Sequence, residues 1–138
     1  MKIKSATKIL SDNDVGATNS HQAGFLIPKS LIKHGLFDAL PEKVLNPRSR
    51  LKFLDQTSQD VFYFNFIHYN NKLFGGTRHE FRLTGMTKWI KENGLRGGDS
   101  IEITRNSLFE YSVNIQKANR RAQNLSQESW ILLYGEEA

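Results

Sequence analysis

The sequence predicts a mainly β domain, built either as a barrel or as a sandwich. About seven short runs are rich in the aromatic and β-branched residues that favour strands. Only two short segments have helical spacing, and strands and helices do not alternate regularly as they would in a parallel α/β sheet. With 138 residues the chain is long enough to bury a core as one domain, residues 1–138.

The N-terminal part predicts two short strands around a long polar loop. The strands are residues 7–10 and 24–27, and "LSDNDVGATNSHQAG" between them is rich in Asn, Asp, Ser and Gly. A connection of this length is either an ordinary solvated loop or a recognition segment. The next stretch, "IPKSLIKHGLF", predicts a short helix with Pro28 near its start and Gly35 near its end.

The remaining chain predicts strands and one more helix. "LKFLDQTSQDVFYFNFIHYNNKLFGG" is strand-like and dense in aromatic residues, and Asn70-Asn71 predicts a hairpin turn between two such runs. "MTKWIKENG" predicts a helix capped by Thr87 and ended by Gly94. "DSIEITRN", "LFEYSVNIQK" and "SWILLYG" predict three further strands.

Composition and charge narrow the class of protein. Nineteen Lys and Arg against fourteen Asp and Glu give a net charge of +5, which favours polyanionic partners such as nucleic acid. The chain has no cysteine, and it contains neither an apolar run of membrane-spanning length nor a secretory signal. We therefore expect a cytoplasmic protein with no membrane association.

Several catalytic chemistries lack their motifs. The four histidines show neither H-E-x-x-H nor another close pairing, and no nucleophile elbow or glycine-rich phosphate loop occurs. "DNDVGATNSHQA" begins like a calcium loop, but Ala17 stands where Gly is needed and Ala23 where Glu is needed. The sequence thus predicts no catalytic site, no metal and no cofactor.

One strand-like run, "LFGGTRHEFRLTGM", carries alternating charges. Because side chains of a strand alternate between its faces, Arg78, Glu80 and Arg82 share one face, opposite the core-like Phe81 and Leu83. Arginine donates to guanine N7 and O6, and glutamate accepts from cytosine N4, whereas a carboxylate would oppose pure phosphate binding. The three residues therefore form either a base-reading face or a surface ladder of salt bridges.

Two stretches quoted above carry a family resemblance. "LSDNDVGATNSHQAGFLIP" and "YNNKLFGGTRHEFRLTG" resemble the N-terminal effector-binding domain of EcoRII-type restriction endonucleases, a B3-like DNA-binding domain. "WIKENGLRGGDSIEI" is similar to the helix-then-strand segment of B3 domains. The resemblance implies a seven-stranded pseudobarrel with two short flanking helices. It also implies two arms that clamp the major groove, the N-arm at residues 10–24 and the C-arm at about residues 75–83.

The resemblance also implies site residues. Base contacts are expected from Arg78, Glu80 and Arg82 in the C-arm and from His21, Asn13 and Gln22 in the N-arm. Phosphate contacts are expected from basic and polar residues around the arms: Lys29, Arg48, Arg50, Lys72, Thr77 and Arg121. Gly76 and Phe81 replace basic residues of the EcoRII pattern. The EcoRII type recognises CCWGG, where W is A or T, with one half-site per domain.

The expected function is recognition of double-stranded DNA by a restriction-endonuclease domain whose fused nuclease domain is missing from this chain. We expect no cleavage by this chain itself. Two alternatives stay open. One is a metal-dependent nuclease with an unrecognised carboxylate site, and the other is a protein-interaction β domain whose charged strand pairs with a partner.

Overall fold

A computed structural model describes residues 4–16, 24–118 and 130–133. Residues 131–133 are described by their backbone only. Eight strands occur in the described part of the chain: β1 Lys4–Ile9, β2 Phe25–Ile27, β3 Arg48–Asp55, β4 Val61–Tyr69, β5 Glu80–Thr84, β6 Ser100–Arg105, β7 Tyr111–Gln116 and β8 Trp130–Leu133. Two short α-helices accompany them, α1 Lys29–Lys33 and α2 Thr87–Glu92, with a 3-10 helix at Asn71–Phe74. None of the described helices is long and apolar enough to cross a membrane.

The strands form one curled sheet. Their order is β2-β5-β4-β3-β7-β6-β1-β8, and every neighbouring pair is antiparallel except β3 and β7. The two edges approach each other where the indole N–H of Trp130 in β8 donates to the carbonyl of Leu26 in β2, at 3.2 Å. The predicted mainly β pseudobarrel with two short helices is confirmed.

The aromatic-rich stretch contains a turn that the sequence prediction did not place. Residues 56–60 separate β3 from β4, so the sheet has eight strands where about seven were expected. The carboxylate of Asp55 accepts the backbone N–H groups of Thr57 and Ser58 at 2.9 and 3.2 Å, and Gln59 takes a positive φ of 65°. These local contacts stabilise a tight reversal.

The predicted helix cap at Thr87 is wrong. The residue before α2 is Met86, and Thr87 is the first helical residue, with no side-chain hydrogen bond at the cap. Met86 is fully buried, so packing of its side chain in the core fixes where the helix begins. Capping preferences are weak enough for such packing to override them.

Aromatic rings fill the inside of the sheet. Phe37, from the segment after α1, stacks on Phe66 of β4 and Tyr111 of β7, with ring centroids 4.9 and 5.6 Å apart. Phe53 of β3 stacks on the same Tyr111 at 4.9 Å. Pairs at these separations add to the stability gained from burial, and they pack β3, β4 and β7 against one another.

Helix α2 is fixed to the sheet by a buried polar contact. The Trp89 ring packs edge-on against Phe64 at 5.5 Å, and its indole N–H donates to the Asp55 carboxylate at 2.9 Å. Asp55 is fully buried, and its three N–H partners offset the cost of removing a carboxylate from water. The β3–β4 turn and α2 are therefore held together.

Candidate nucleic-acid interface

The connection from β4 to β5, which leads into the C-arm, is an exposed but well-bonded loop. Instead of a tight turn at Asn70-Asn71, the chain forms the 3-10 helix and leaves it through Gly75, whose φ is 91°. The N–H of Gly76 donates to the Asn71 carbonyl at 2.7 Å, and the N–H of Arg78 donates to the Asn71 side-chain oxygen at 2.6 Å. A Cβ on residue 76 would lie 2.6 Å from Asn71 Cγ, so a larger residue there would displace the Asn71 side chain and its hydrogen bond to the N–H of Arg78.

Arg78, Glu80 and Arg82, the charged triplet, come together as predicted, but the predicted strand at about residues 75–83 begins only at Glu80, so Arg78 lies two residues before β5. Arg78 Nε and Nη2 lie 3.0 and 2.9 Å from Glu80 Oε1, and Arg82 Nη1 lies 3.3 Å from Glu80 Oε2. The Arg78 side chain is 44% exposed and that of Arg82 is 18% exposed. The salt-bridge ladder therefore exists in the free protein, and its arginines still have N–H groups that Glu80 does not occupy.

A tyrosine that the sequence analysis missed supports the charged triplet. Tyr69 at the end of β4 lies opposite Glu80 in the sheet, and its ring is 3.8 Å from the Arg78 guanidinium carbon. Partner residues of neighbouring strands point to the same face. Tyr69 and Arg78 are nine positions apart in the sequence, so only the alignment of β4 with β5 shows that they are in contact.

A second group of cations extends the same outer face across β3. Arg48 pairs with Ile67 of β4, which in turn pairs with Arg82, so the two arginines lie two strands apart on one face, about 10 Å from each other. Arg50 and Lys52 follow on this face, and Arg50 stacks on Tyr63 at 4.4 Å. We call Arg48, Arg50 and Lys52 the β3 row. The alternation of basic residues in "RSRLK" is the sequence pattern from which this row can be predicted.

The inner side of the C-arm carries a histidine pair. His68 is 2% exposed, stacks on Phe81 at 4.0 Å, and its Nε2 lies 3.3 Å from Nδ1 of His79. Burial lowers the pKa of His68, and the neighbouring His79 and Lys29 lower it further while Glu42 acts in the opposite direction. Phe81 also stacks on Phe66 at 5.8 Å, so position 81 belongs to the core and not to the charged face.

The root of the N-arm is held by buried polar contacts. Lys8 of β1 is fully buried and pairs with Asp14 at 3.1 Å. Asp14 also accepts the N–H of Ser11 at 2.9 Å, and its carbonyl accepts the N–H of Gly24 at 3.0 Å. The two ends of the loop are thus joined. Asn13 is half-buried in this root.

The other predicted contact residues fall into two groups. His21 and Gln22, predicted to contact bases, and Arg121, predicted to contact phosphate, lie outside the described residues. Lys29, Lys72 and Thr77 are exposed, Lys29 at the start of α1 and the other two in the β4–β5 connection. Lys29 borders a surface cavity of about 500 Å³ together with His79 and Glu80, so it lies close to the C-arm.

Both arms leave from the β2–β5 pair. The N-arm enters β2 beside Thr84, and the C-arm enters β5 at Glu80, four residues away. At the rise of an extended strand the two points are about 13 Å apart. Within the described residues no group of three or more His, Cys, Asp or Glu side chains is arranged to hold a metal ion.

Sequence comparisons match the N-terminal two thirds of the chain. The model of the family described as "Restriction endonuclease EcoRII, N-terminal" matches residues 2–98. The type II restriction enzyme EcoRII of Escherichia coli is 37% identical over an alignment of 89 residues that covers 61% of this chain and 20% of that protein. The matched part therefore spans about a fifth of the length of this relative.

Three solved structures share the fold. The Arabidopsis FUS3–DNA complex superposes with a TM-score of 0.64 at 19% identity, covering 82% of this chain and 96% of that one. The B3 domain of the UbaLAI restriction endonuclease with cognate DNA gives 0.63 at 14% identity, covering 97% and 87%. The N-terminal domain of Helicobacter pylori LlaJI.R1 gives 0.57 at 16% identity, covering 99% and 100%.

Proposed function

Because the chain belongs to the EcoRII N-terminal family of B3-like DNA-binding domains, we propose that it recognises a specific sequence in the major groove of double-stranded DNA. The N-arm and C-arm make the base contacts, and surrounding cations contact phosphates. The observation that carries the proposal is the charged triplet, which places two arginines and a glutamate side by side at the start of β5 and just before it. These are the side chains that recognise guanine and cytosine edges.

The spacing of the arms supports a major-groove mode. Their roots are about 13 Å apart along β5, close to the groove width of about 12 Å in B-DNA. Two of the similar structures are named as complexes with DNA, one of them a restriction-endonuclease B3 domain with its cognate site. The 37% identity to EcoRII makes CCWGG the first target to test.

The proposed phosphate-contacting residues contribute to affinity, and the proposed base-contacting residues contribute to specificity. The β3 row, Lys29 and Lys72 supply sequence-independent affinity, which falls as salt rises because their binding releases counterions from the duplex, and Thr77 adds a neutral hydrogen bond to phosphate. His21, Gln22, Asn13 and Arg121 complete the contact set proposed from the sequence. In the full-length protein the domain delivers a fused nuclease to its target or effector site, and the domain alone does not cleave.

A competition gel shift tests the proposal. A duplex containing one CCWGG is compared with a duplex in which the outer G·C pairs are exchanged, for the wild type, Arg78→Ala and Lys88→Ala. Lys88 is a matched control because it is an exposed cation on α2, outside the proposed interface. We expect the wild type and Lys88→Ala to prefer CCWGG and Arg78→Ala to lose about 1–3 kcal/mol of that preference.

Two results would contradict the proposal. Equal, salt-sensitive binding of the wild type to both duplexes would refute CCWGG as the target, and selection from random duplexes would then identify another site or show none. No binding at low salt would refute the DNA-binding function and leave the charged triplet as a surface ladder.

A further inference from the structure

Arg78 is held on two sides by residues that leave its outer edge open. The Tyr69 ring covers one face of the guanidinium at 3.8 Å, Nε donates to Glu80 Oε1 at 3.0 Å, and Nη2 forms an ion pair with the same oxygen at 2.9 Å. The main chain of Arg78 is fixed as well, since its N–H donates to the Asn71 side chain and its carbonyl accepts from the N–H of Lys72.

The hydrogen bonds to Glu80 leave a defined set of donors. A guanidinium has five N–H groups; the hydrogen bond to Glu80 uses the one on Nε, and Nη2 lies beside the same oxygen. At least one N–H on Nη2 and two on Nη1 remain. Both terminal nitrogens therefore keep a donor, which is the pattern needed for two parallel hydrogen bonds to N7 and O6 of guanine.

We propose that Tyr69 is a specificity-determining positioning residue, which acts by holding the Arg78 guanidinium in the plane that donates to guanine. This inference rests on the proposed function and extends it to a residue in β4, outside both arms. A free arginine side chain must lose rotamer freedom on binding, and an aromatic face that fixes it beforehand reduces this cost. The benefit goes to the correct base, because a wrong base cannot use the fixed donors.

The binding test compares Tyr69→Leu, Tyr69→Phe and Tyr63→Leu by fluorescence anisotropy on the CCWGG duplex and the exchanged duplex. Tyr63 is the matched control, since it lies on the same face of β4 beneath a different arginine, Arg50. We expect Tyr69→Leu to reduce the ratio of the two dissociation constants about 3- to 10-fold. We expect both Tyr69→Phe, which keeps the ring, and Tyr63→Leu to show the wild-type ratio of dissociation constants.

A spectroscopic test on the free protein separates this inference from the proposed function. We expect stacking on Tyr69 to shift the Arg78 Nε–H resonance through the ring current, and the bond to Glu80 to slow its exchange with water. Tyr69→Leu should move this resonance and speed its exchange, and Tyr69→Phe should not. An unchanged resonance in Tyr69→Leu would overturn the positioning role.

The binding outcomes are equally decisive. A wild type that discriminates between the duplexes, together with a Tyr69→Leu variant that discriminates as well, would refute the inference and leave the proposed function intact. A wild type that does not discriminate would refute the proposed target itself, while the resonance of Arg78 would still report whether Tyr69 fixes it. Equal weakening on both duplexes in Tyr69→Leu would show a general loss of affinity and would also overturn the inference.

Discussion

Replacing Glu80 with Gln tests whether the charged triplet is a base-reading face or only a ladder. Gln keeps the size and one acceptor oxygen but removes the charge that bridges Arg78 and Arg82. Both ion pairs are partly exposed, and such pairs contribute about 0.2–1 kcal/mol each. The free energy of unfolding should therefore fall by only about 1 kcal/mol, so that the folded variant can be titrated with DNA.

The two readouts of this substitution should move in opposite directions. Without the carboxylate, repulsion from phosphates decreases, and affinity for the exchanged duplex should rise by on the order of 1 kcal/mol, about fivefold. Preference for the CCWGG duplex should fall by about 1–3 kcal/mol, since Gln neither accepts from cytosine N4 as a carboxylate does nor holds both arginines in place. The expected result is tighter and less selective binding.

Fluorescence anisotropy with both duplexes at several salt concentrations measures the two effects together. Glu92→Gln is the matched control, because Glu92 forms a comparable exposed pair with Lys88 on α2, at 3.8 Å. The control should leave the ratio of dissociation constants unchanged. If Glu80→Gln tightens binding to both duplexes by the same factor, Glu80 acts only as a repelling charge, and the assignment of a base-reading role to the charged triplet is refuted.

Three further substitutions test other parts of the structure. Asp55→Ala removes the acceptor of three N–H groups, including the Trp89 indole, and should lower the free energy of unfolding, measured by urea denaturation, by about 3 kcal/mol. A loss below about 1 kcal/mol would contradict the role given to this carboxylate. The pKa of His68 is lowered from 6.5 in the folded protein, so below about pH 6.5 the unfolded chain binds more protons, and the wild type loses stability as the pH falls further. In urea unfolding at several pH values, His68→Phe should lack this part of the loss. A pH dependence equal to that of the wild type would contradict the expectation. Lys52→Ala should weaken binding equally on both duplexes and reduce the salt slope by about 1, and a changed ratio of affinities would show a base contact instead.

The sequence predicts those features of the site that depend on local periodicity. Alternation was enough to group Glu80 and Arg82 on one face of β5, and Arg78, two residues before the strand, joins them through its contact with Glu80. The positions of Tyr69 and Arg48 on the same face depend on how β3, β4 and β5 align. Such alignment is set by turns and core packing far along the chain, and no short stretch of sequence encodes it.

Other differences come from competition between local preference and the core. Thr87 is a good capping residue, but the buried side chain of Met86 determines where α2 starts. Lys8 shows the same limit, because a lysine in an alternating strand is expected to point to solvent. Here it is fully buried and paired with Asp14, six residues on in the N-arm root. Neither outcome follows without knowing what fills the inside of the sheet.

The strand order gives the two arms different capacities for evolutionary change. The C-arm joins β4 to β5, which are neighbours in the sheet, whereas the N-arm joins β1 to β2, which lie far apart in the strand order, β2 first and β1 seventh of eight. Insertions or exchanges in the C-arm alter only a local hairpin and leave the closure of the sheet intact. Under the proposed function, a lineage could therefore change its target sequence by exchanging this hairpin, whereas a change in the N-arm also affects the connection between β1 and β2.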